Sequence, residues 1–143
     1  MTVFLDTNII LDVLLERPGY EAAVQLFQLQ EKGIIRIGVS VLTMVNVAYV
    51  YRKTVGQELA TVNLKYLSTF LEVLPMDNEM LQTAIYLDSR DFEDAFQAVC
   101  ASAGNCNAIV THNPKDFLFK KGLSKPIQIP PVYTPTAFLQ VIR

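Results

Sequence analysis

Val3-Phe4-Leu5-Asp6-Thr7-Asn8-Ile9-Ile10-Leu11-Asp12-Val13-Leu14-Leu15 holds the strongest structural signal in the chain. Three apolar, strand-favouring residues break into Asp-Thr-Asn. Apolar side chains then return at 9, 10, 11, 13, 14 and 15, with Asp12 and Glu16 among them. A short continuous apolar run followed by helical spacing predicts a buried strand passing directly into a helix. Asp6 then stands at the carboxyl end of the first strand, where open α/β sheets place their ligands. Asp, Thr and Asn also cap helices, so the tripeptide has a purely structural reading as well. Thr7 or Asn8 would suffice for a cap, which leaves the acid surplus and makes it a functional candidate.

After this helix Arg17-Pro18-Gly19 breaks the chain, and Tyr20 to Glu31 predicts a second helix with Ala23, Leu26, Phe27 and Gln30 along one stripe. Lys32-Gly33 ends it, the glycine suiting the left-handed position after a helix. Ile34 to Val39 predicts a strand, and Ser40 caps a third helix with Leu42, Val45, Tyr49 and Val50 on its inner side. Beyond Gly56 a long helix runs to Leu71, with Leu59, Val62, Leu67, Phe70 and Leu71 inward. Val73-Leu74-Pro75-Met76 is a short strand whose proline places it at an edge or an end. Asp77 opens a helix with Met80, Leu81, Ala84, Ile85 and Leu87 apolar, and Asp91 opens another that stops at Gly104. Ala108 to Thr111 is a buried strand, followed by the loop His112 to Asp116. Val132-Tyr133 adds a last strand, and Thr134-Pro135 starts a closing helix. Strands alternating with helices predict an α/β fold, a three-layer α/β/α sandwich with a central parallel sheet of four or five strands.

The chain's 143 residues fit a single domain, residues 1–143, and half of them are hydrophobic, which excludes a disordered chain. No apolar run approaches the roughly 20 residues that cross a bilayer. Asp6 and Asp12 argue against a signal peptide, so a cytoplasmic protein without a membrane partner is expected. The net charge of −2 provides no global attraction to nucleic acid. Lys115, Lys120, Lys121 and Lys125 are a candidate local basic patch, and Arg52-Lys53 a smaller one. Cys100 and Cys106 lack a CxxC or neighbouring histidines, so buried free thiols are expected. His112 is the only histidine, and no serine or cysteine motif accompanies it.

Carboxylates recur at two further places, at a strand tip or a helix start. Asp91-x-x-Asp94 opens a helix, and Asp116 follows the Ala108–Thr111 strand. The first pair also resembles a capping box, with both charges suited to the helix dipole. If these positions adjoin the first strand, Asp6, Asp91, Asp94 and Asp116 converge in one cleft. Converging carboxylates raise one another's pKa unless a cation neutralises them. An all-oxygen donor set suits Mg²⁺ or Mn²⁺, and such ions promote phosphodiester hydrolysis.

These residues resemble the PIN-domain family of metal-dependent ribonucleases, many of them toxins of bacterial toxin–antitoxin pairs. Phe4-Leu5-Asp6-Thr7-Asn8 is similar to the family's opening strand and first metal-binding acid, and Ser40-x-x-Thr43-x-x-Asn46 to its second motif. Asp91-Phe92-Glu93-Asp94-Ala95 with Ala98 resembles the third, and Ile109-Val110-Thr111-His112-Asn113-x-x-Asp116-Phe117 the fourth. Thr134-Pro135-x-x-Phe138-Leu139 resembles a frequent closing segment. The resemblance implies an endoribonuclease in which Asp6, Asp91, Asp94 and Asp116 serve the metal and catalysis. Asn8, Thr43, Asn46, Thr111, Asn113 and Lys115 would support the site or bind substrate. RNA, an antitoxin protein and a second copy of the chain are the partners that follow. Asn46 stands where the family usually carries Glu, and Asn113 where it commonly carries Asp. Two other readings compete: a metal-deficient module that binds RNA or a protein without cleaving, and a phosphatase attacking with a strand-tip Asp. The phosphatase pattern normally has a second Asp where this chain has Asn8.

Overall fold

The computed structural model describes residues 1–119 and 127–143. Lys120, Lys121 and Lys125, three members of the candidate basic patch, lie outside the described residues. The elements in chain order are β1 (Thr2–Leu5), α1 (Thr7–Leu15), α2 (Glu21–Glu31), β2 (Arg36–Ser40), α3 (Val41–Val55), α4 (Gln57–Phe70) and β3 (Glu72–Leu74). There follow α5 (Asn78–Tyr86), α6 (Phe92–Ala103), β4 (Ala108–Val110), a 3₁₀ turn (Pro114–Phe117), β5 (Val132–Tyr133) and α7 (Pro135–Val141). Among the described residues five strands form one sheet in the order β3-β2-β1-β4-β5, every pair parallel. This is the predicted three-layer α/β/α sandwich.

Alternation along the strands assigns the two faces. Val3, Leu5, Ile37, Val39, Ala108 and Val110 pack against α1, α2, α3, α4 and α7. Phe4 and Ile109 point the other way, onto α6 and Phe117. A further cluster, Ala84, Leu87, Ala95 and Val99, joins α5 to α6. The chain winds outward from β1 through β2 to β3, then returns to build β4 and β5 on the other side of β1. The order therefore reverses between β1 and β4, and the crevice at their carboxyl ends is where such sheets bind ligands.

Local signals read from the sequence set several boundaries. Ser40, Asp77, Asp91 and Thr134 each accept a backbone N–H at the start of a helix. Gly33 has φ 70°, and the Ile34 amide donates to the Leu29 carbonyl while Gly33 donates to Gln30, the closing pattern expected after α2. That turn uses Ile34, so β2 starts at Arg36 and not at Ile34. β3 lies at the sheet edge, as its proline implied. Cys100 and Cys106 are buried free thiols, and burial pushes them up to about 12 and about 11. Among the described residues no helix is long and apolar enough to cross a membrane.

The predicted inner faces of α3 and α4 hold only in part; on α3, Val50 packs against the core as expected. Val45 and Tyr49 are exposed, and α3 turns Thr43, Val47 and Tyr51 inward. This helix is apolar on most sides, so hydrophobic spacing alone does not fix its rotation. A polar residue, Thr43, is drawn inside because hydrogen bonds await it there. On α4, Leu59 and Val62 are exposed while Ala60 and Leu67 are buried, with Leu64 and Phe70 packed against the same core. Leu67, Phe70 and Leu71 are inward as expected, but Leu59 and Val62 belong to a second, competing helical stripe. Ile85 on α5 is exposed as well.

Candidate active site

Asp6 is the last residue before α1 and only 8% exposed. It is itself the cap: its Oδ1 accepts from the Thr7 amide at 2.8 Å, so the expectation that Thr7 or Asn8 serves instead is overturned. Its Oδ2 accepts from the Thr111 hydroxyl at 2.9 Å, from the tip of β4. Asp6 donates its own amide to the Val110 carbonyl, which locks the β1 tip against β4. Burial raises the Asp6 pKa and Asp91 raises it further, while the bonds from Thr111 and Thr7 and the proximity of His112 oppose this.

Across the crevice, Asp91 caps α6 by accepting from the Asp94 amide at 3.2 Å. The reciprocal half of a capping box does not form: the Asp91 amide donates to Ser89 Oγ. Among the described residues, no donor holds the Asp94 side chain. Its pKa is pushed up to about 7, first by burial and then by Asp6, Asp91, Asp116 and Glu93. Asp116 lies exposed on the 3₁₀ turn. Asp6, Asp91, Asp94 and Asp116 thus share one electrostatic neighbourhood.

Glu93 is a member of this group that the sequence reading passed over. Burial raises its pKa, as do Asp6 and Asp91, while Asn46 and Thr7 lower it by hydrogen bonding. Asn46 Nδ2 donates to Glu93 Oε1 at 2.9 Å. Asn46 therefore reaches the carboxylates from α3 by holding a glutamate from α6. The signal was available in the Asp-Phe-Glu-Asp run, whose consecutive acids exceed what a helix start requires.

The other named residues are distributed around this group. Thr111 holds Asp6, and its hydroxyl also accepts from the Asn113 amide at 3.3 Å. Lys115 and Asn113 are exposed beside Asp116. Asn8 is exposed and accepts from Arg17 Nη1 at 3.2 Å. Thr43 is fully buried and lies beneath the carboxylates in a polar cluster with Thr7, Ser40 and Gln97. Gln97 Nε2 donates to Thr43 Oγ1 at 2.7 Å and to Thr7 Oγ1 at 3.4 Å, while Ser40 Oγ donates to its carbonyl. Gln97, a lone polar residue in an apolar helical run, carried no signal that set it apart from a surface position.

Among the described residues no three acidic, histidine or cysteine side chains are gathered as a ready coordination shell. The donors nevertheless fit a hard divalent cation in kind: all are oxygens, and burial, followed by the charge of neighbouring acids, raises Asp94, Asp6 and Glu93 together.

These shifts have a consequence for the metal-free protein. A carboxyl whose folded pKa lies above its unfolded value keeps its proton longer when folded. Its contribution to stability is present below the unfolded value near 3.8 and lost as the pH rises through about 7. The metal-free melting temperature should therefore fall between about pH 5 and pH 7.5, by an amount limited by the partial solvation of Asp94. Thermal scans in a chelator check this; a melting temperature that rises over that range would contradict the mutual repulsion.

A profile described as PIN domain matches residues 2–115. The fold is similar to DNA-bound VapBC from Salmonella typhimurium, with TM-score 0.68, 19% identity, and coverage of 94% of this chain and 98% of that one. It is similar to a toxin–antitoxin complex from Klebsiella pneumoniae, with TM-score 0.65, 21% identity, and coverage of 93% and 97%. It is also similar to VapC20 from Mycobacterium tuberculosis, described as a Sarcin-Ricin loop cleaving toxin, with TM-score 0.59, 15% identity, and coverage of 75% and 86%. At these identities the likeness is one of fold. Comparison with curated proteins gives no match.

Proposed function

This chain belongs to the PIN-domain family, and on that premise we propose that it is a metal-dependent endoribonuclease acting on RNA phosphodiester bonds. The observation that carries the reading is the gathering of Asp6, Asp91, Asp94, Asp116 and Glu93 at the strand tips, where burial first and then the charge of the other four push Asp94 up to about 7. Acids that destabilise one another at a strand-tip crevice form a site that a cation completes. Asp6, Asp91, Asp94 and Asp116 would hold Mg²⁺ or Mn²⁺. Such an ion, when bound, polarises a phosphoryl oxygen and activates water for in-line attack. The chain's own part is positional: Thr111 fixes the Asp6 carboxylate, Asn46 fixes Glu93, and the polar cluster under Thr7 fixes the start of α1 relative to α6. Asn113 and Lys115 stand at the exposed rim, suited to contact the RNA strand.

Residues 1–143 act in this reading as one nuclease domain working on cytoplasmic RNA. A toxin role with an antitoxin protein is supported by the likeness to toxin–antitoxin complexes. A homodimer is supported by the exposed apolar side chains Val45, Tyr49, Leu59, Val62 and Tyr66. The second reading, a module that binds RNA or a protein without cleaving, draws on Asn46 and Asn113 in places where the family usually has acids.

Calorimetric titration with Mn²⁺, together with cleavage of single-stranded RNA, separates the two. The nuclease binds Mn²⁺, melts higher with it by mass action, and cleaves; a protein that does none of these supports the non-cleaving module. Asn46→Glu sharpens the test, because it replaces the 2.9 Å bond to Glu93 with a facing carboxylate. The metal-free variant should melt lower than the wild type. It should bind Mn²⁺ about five- to thirty-fold more tightly, the 1–2 kcal/mol left once desolvation offsets most of the Coulomb gain. Unchanged or weaker Mn²⁺ binding would remove Asn46 from the site.

A further inference from the structure

A second polar cluster lies at the same sheet edge, on the face opposite the carboxylates. Thr111 turns toward Asp6, and the next side chain, His112, turns toward α1 and meets Asp12. Asp12 is only 5% exposed, and an ionised carboxylate buried to that degree is costly unless paired. It is paired twice. His112 Nε2 bonds its Oδ2, and Arg17 Nη1 lies 3.8 Å from its Oδ1. Arg17 reaches back because Glu16 adopts a left-handed conformation with φ 48°, and the Arg17 amide closes the turn on the Asp12 carbonyl at 3.2 Å.

One buried carboxylate therefore tethers a guanidinium and an imidazole at the surface, and both stay partly open to solvent. Their side chains are 36% and 43% exposed. Among the described residues only Nη1 of the guanidinium is engaged, by Asp12 and by Asn8 Oδ1 at 3.2 Å. The remaining guanidinium N–H groups, and His112 Nδ1, have no partner there. This cluster adjoins the acids: His112 directly follows Thr111, whose hydroxyl holds the Asp6 carboxylate at 2.9 Å. A polyanion approaching Asp6, Asp91, Glu93, Asp94 and Asp116 on a chain of net charge −2 needs a positive foothold beside them.

We propose that Arg17 and His112, tethered by Asp12, form a phosphate-binding subsite for the RNA backbone next to the phosphate that is cleaved, an inference that rests on the ribonuclease reading. A guanidinium offers several N–H donors in a planar fork matched to phosphate oxygens, and pre-setting it on a buried acid reduces the entropy lost on binding. Such a contact reads the backbone, so it carries affinity without sequence preference.

The test is fluorescence anisotropy of a labelled single-stranded RNA oligonucleotide over a series of KCl concentrations. It compares Asp94→Asn, expected to bind with cleavage suppressed, with the same chain carrying Arg17→Gln. Loss of the contact should weaken binding about tenfold on any sequence and lower the slope of log affinity against log salt by about 0.7. Arg17→Lys should retain the slope. Where Arg17→Gln fails to fold, His112→Gln keeps a donor for Asp12 and should weaken binding severalfold. Equal affinity and equal slope with and without the substitution would overturn the subsite. Cleavage by the wild type is assayed in parallel: RNA binding without cleavage overturns the nuclease reading alone, and neither binding nor cleavage overturns both.

Discussion

Asp94→Asn should lower RNA cleavage about a thousandfold, the several kcal/mol that a correctly held divalent ion contributes to phosphoryl transfer. The same substitution should raise the metal-free melting temperature at neutral pH. Asp94 is the acid most strongly opposed by its neighbours, pushed up to about 7 by burial and by Asp6, Asp91, Asp116 and Glu93. Removing its charge relieves all four interactions. Little else is lost, because no donor among the described residues holds its side chain and its amide bond to Asp91 is backbone. Asp6→Asn is less informative, since both Asp6 oxygens accept hydrogen bonds and the substitution also disturbs the cap of α1. Opposite signs for activity and stability mark a residue kept for function at the expense of the fold. Cleavage assays in Mn²⁺ and thermal scans in a chelator check both halves. An Asp94→Asn protein that cleaves like the wild type would end the proposed role, and one that melts lower without metal would show Asp94 to be structural.

Gln97→Leu should destabilise the protein by about 3 kcal/mol, roughly a 10 °C fall in melting temperature for a chain of this size. Gln97 is fully buried, donates to Thr43 and Thr7, and accepts from Ser40. Leucine matches its volume but leaves three buried hydroxyls to share the bonds that remain, at 3.2 Å between Ser40 and Thr43 and 3.3 Å between Thr7 and Thr43. Bonds that long satisfy a hydroxyl poorly. A double-mutant cycle with Thr43→Val isolates the coupling: if the two act through one network, the double variant should lose less than the two single losses added. Additive losses, or a Gln97→Leu protein as stable as the wild type, would mean that the cluster does not join α1, α3 and α6. Because Thr7 follows Asp6 directly and α6 carries Asp94, loosening the network should also weaken Mn²⁺ binding while leaving every carboxylate in place.

Local spacing along the sequence specifies the alternation of strands and helices, and with it a parallel sheet whose strand tips share one edge. It determined the helix starts at Ser40, Asp77, Asp91 and Thr134, because a cap is a contact between residues two or three apart. It also nominated Asp6, Asp91, Asp94 and Asp116, since acids at strand tips and helix starts are visible in one dimension. Which side of a helix faces inward when apolar residues surround it depends on long-range packing. On α3 the buried face runs through Thr43 and not through Val45 and Tyr49, because Gln97, 54 positions along the chain, supplies the hydrogen bonds. The tertiary structure also brought Asn46 to Glu93 across 47 positions and His112 to Asp12 across 100. Such pairings leave no trace in local spacing. A hydrophobic side chain needs only to leave water, which periodicity records, whereas a buried polar group needs a particular partner, and the partner is chosen by the fold.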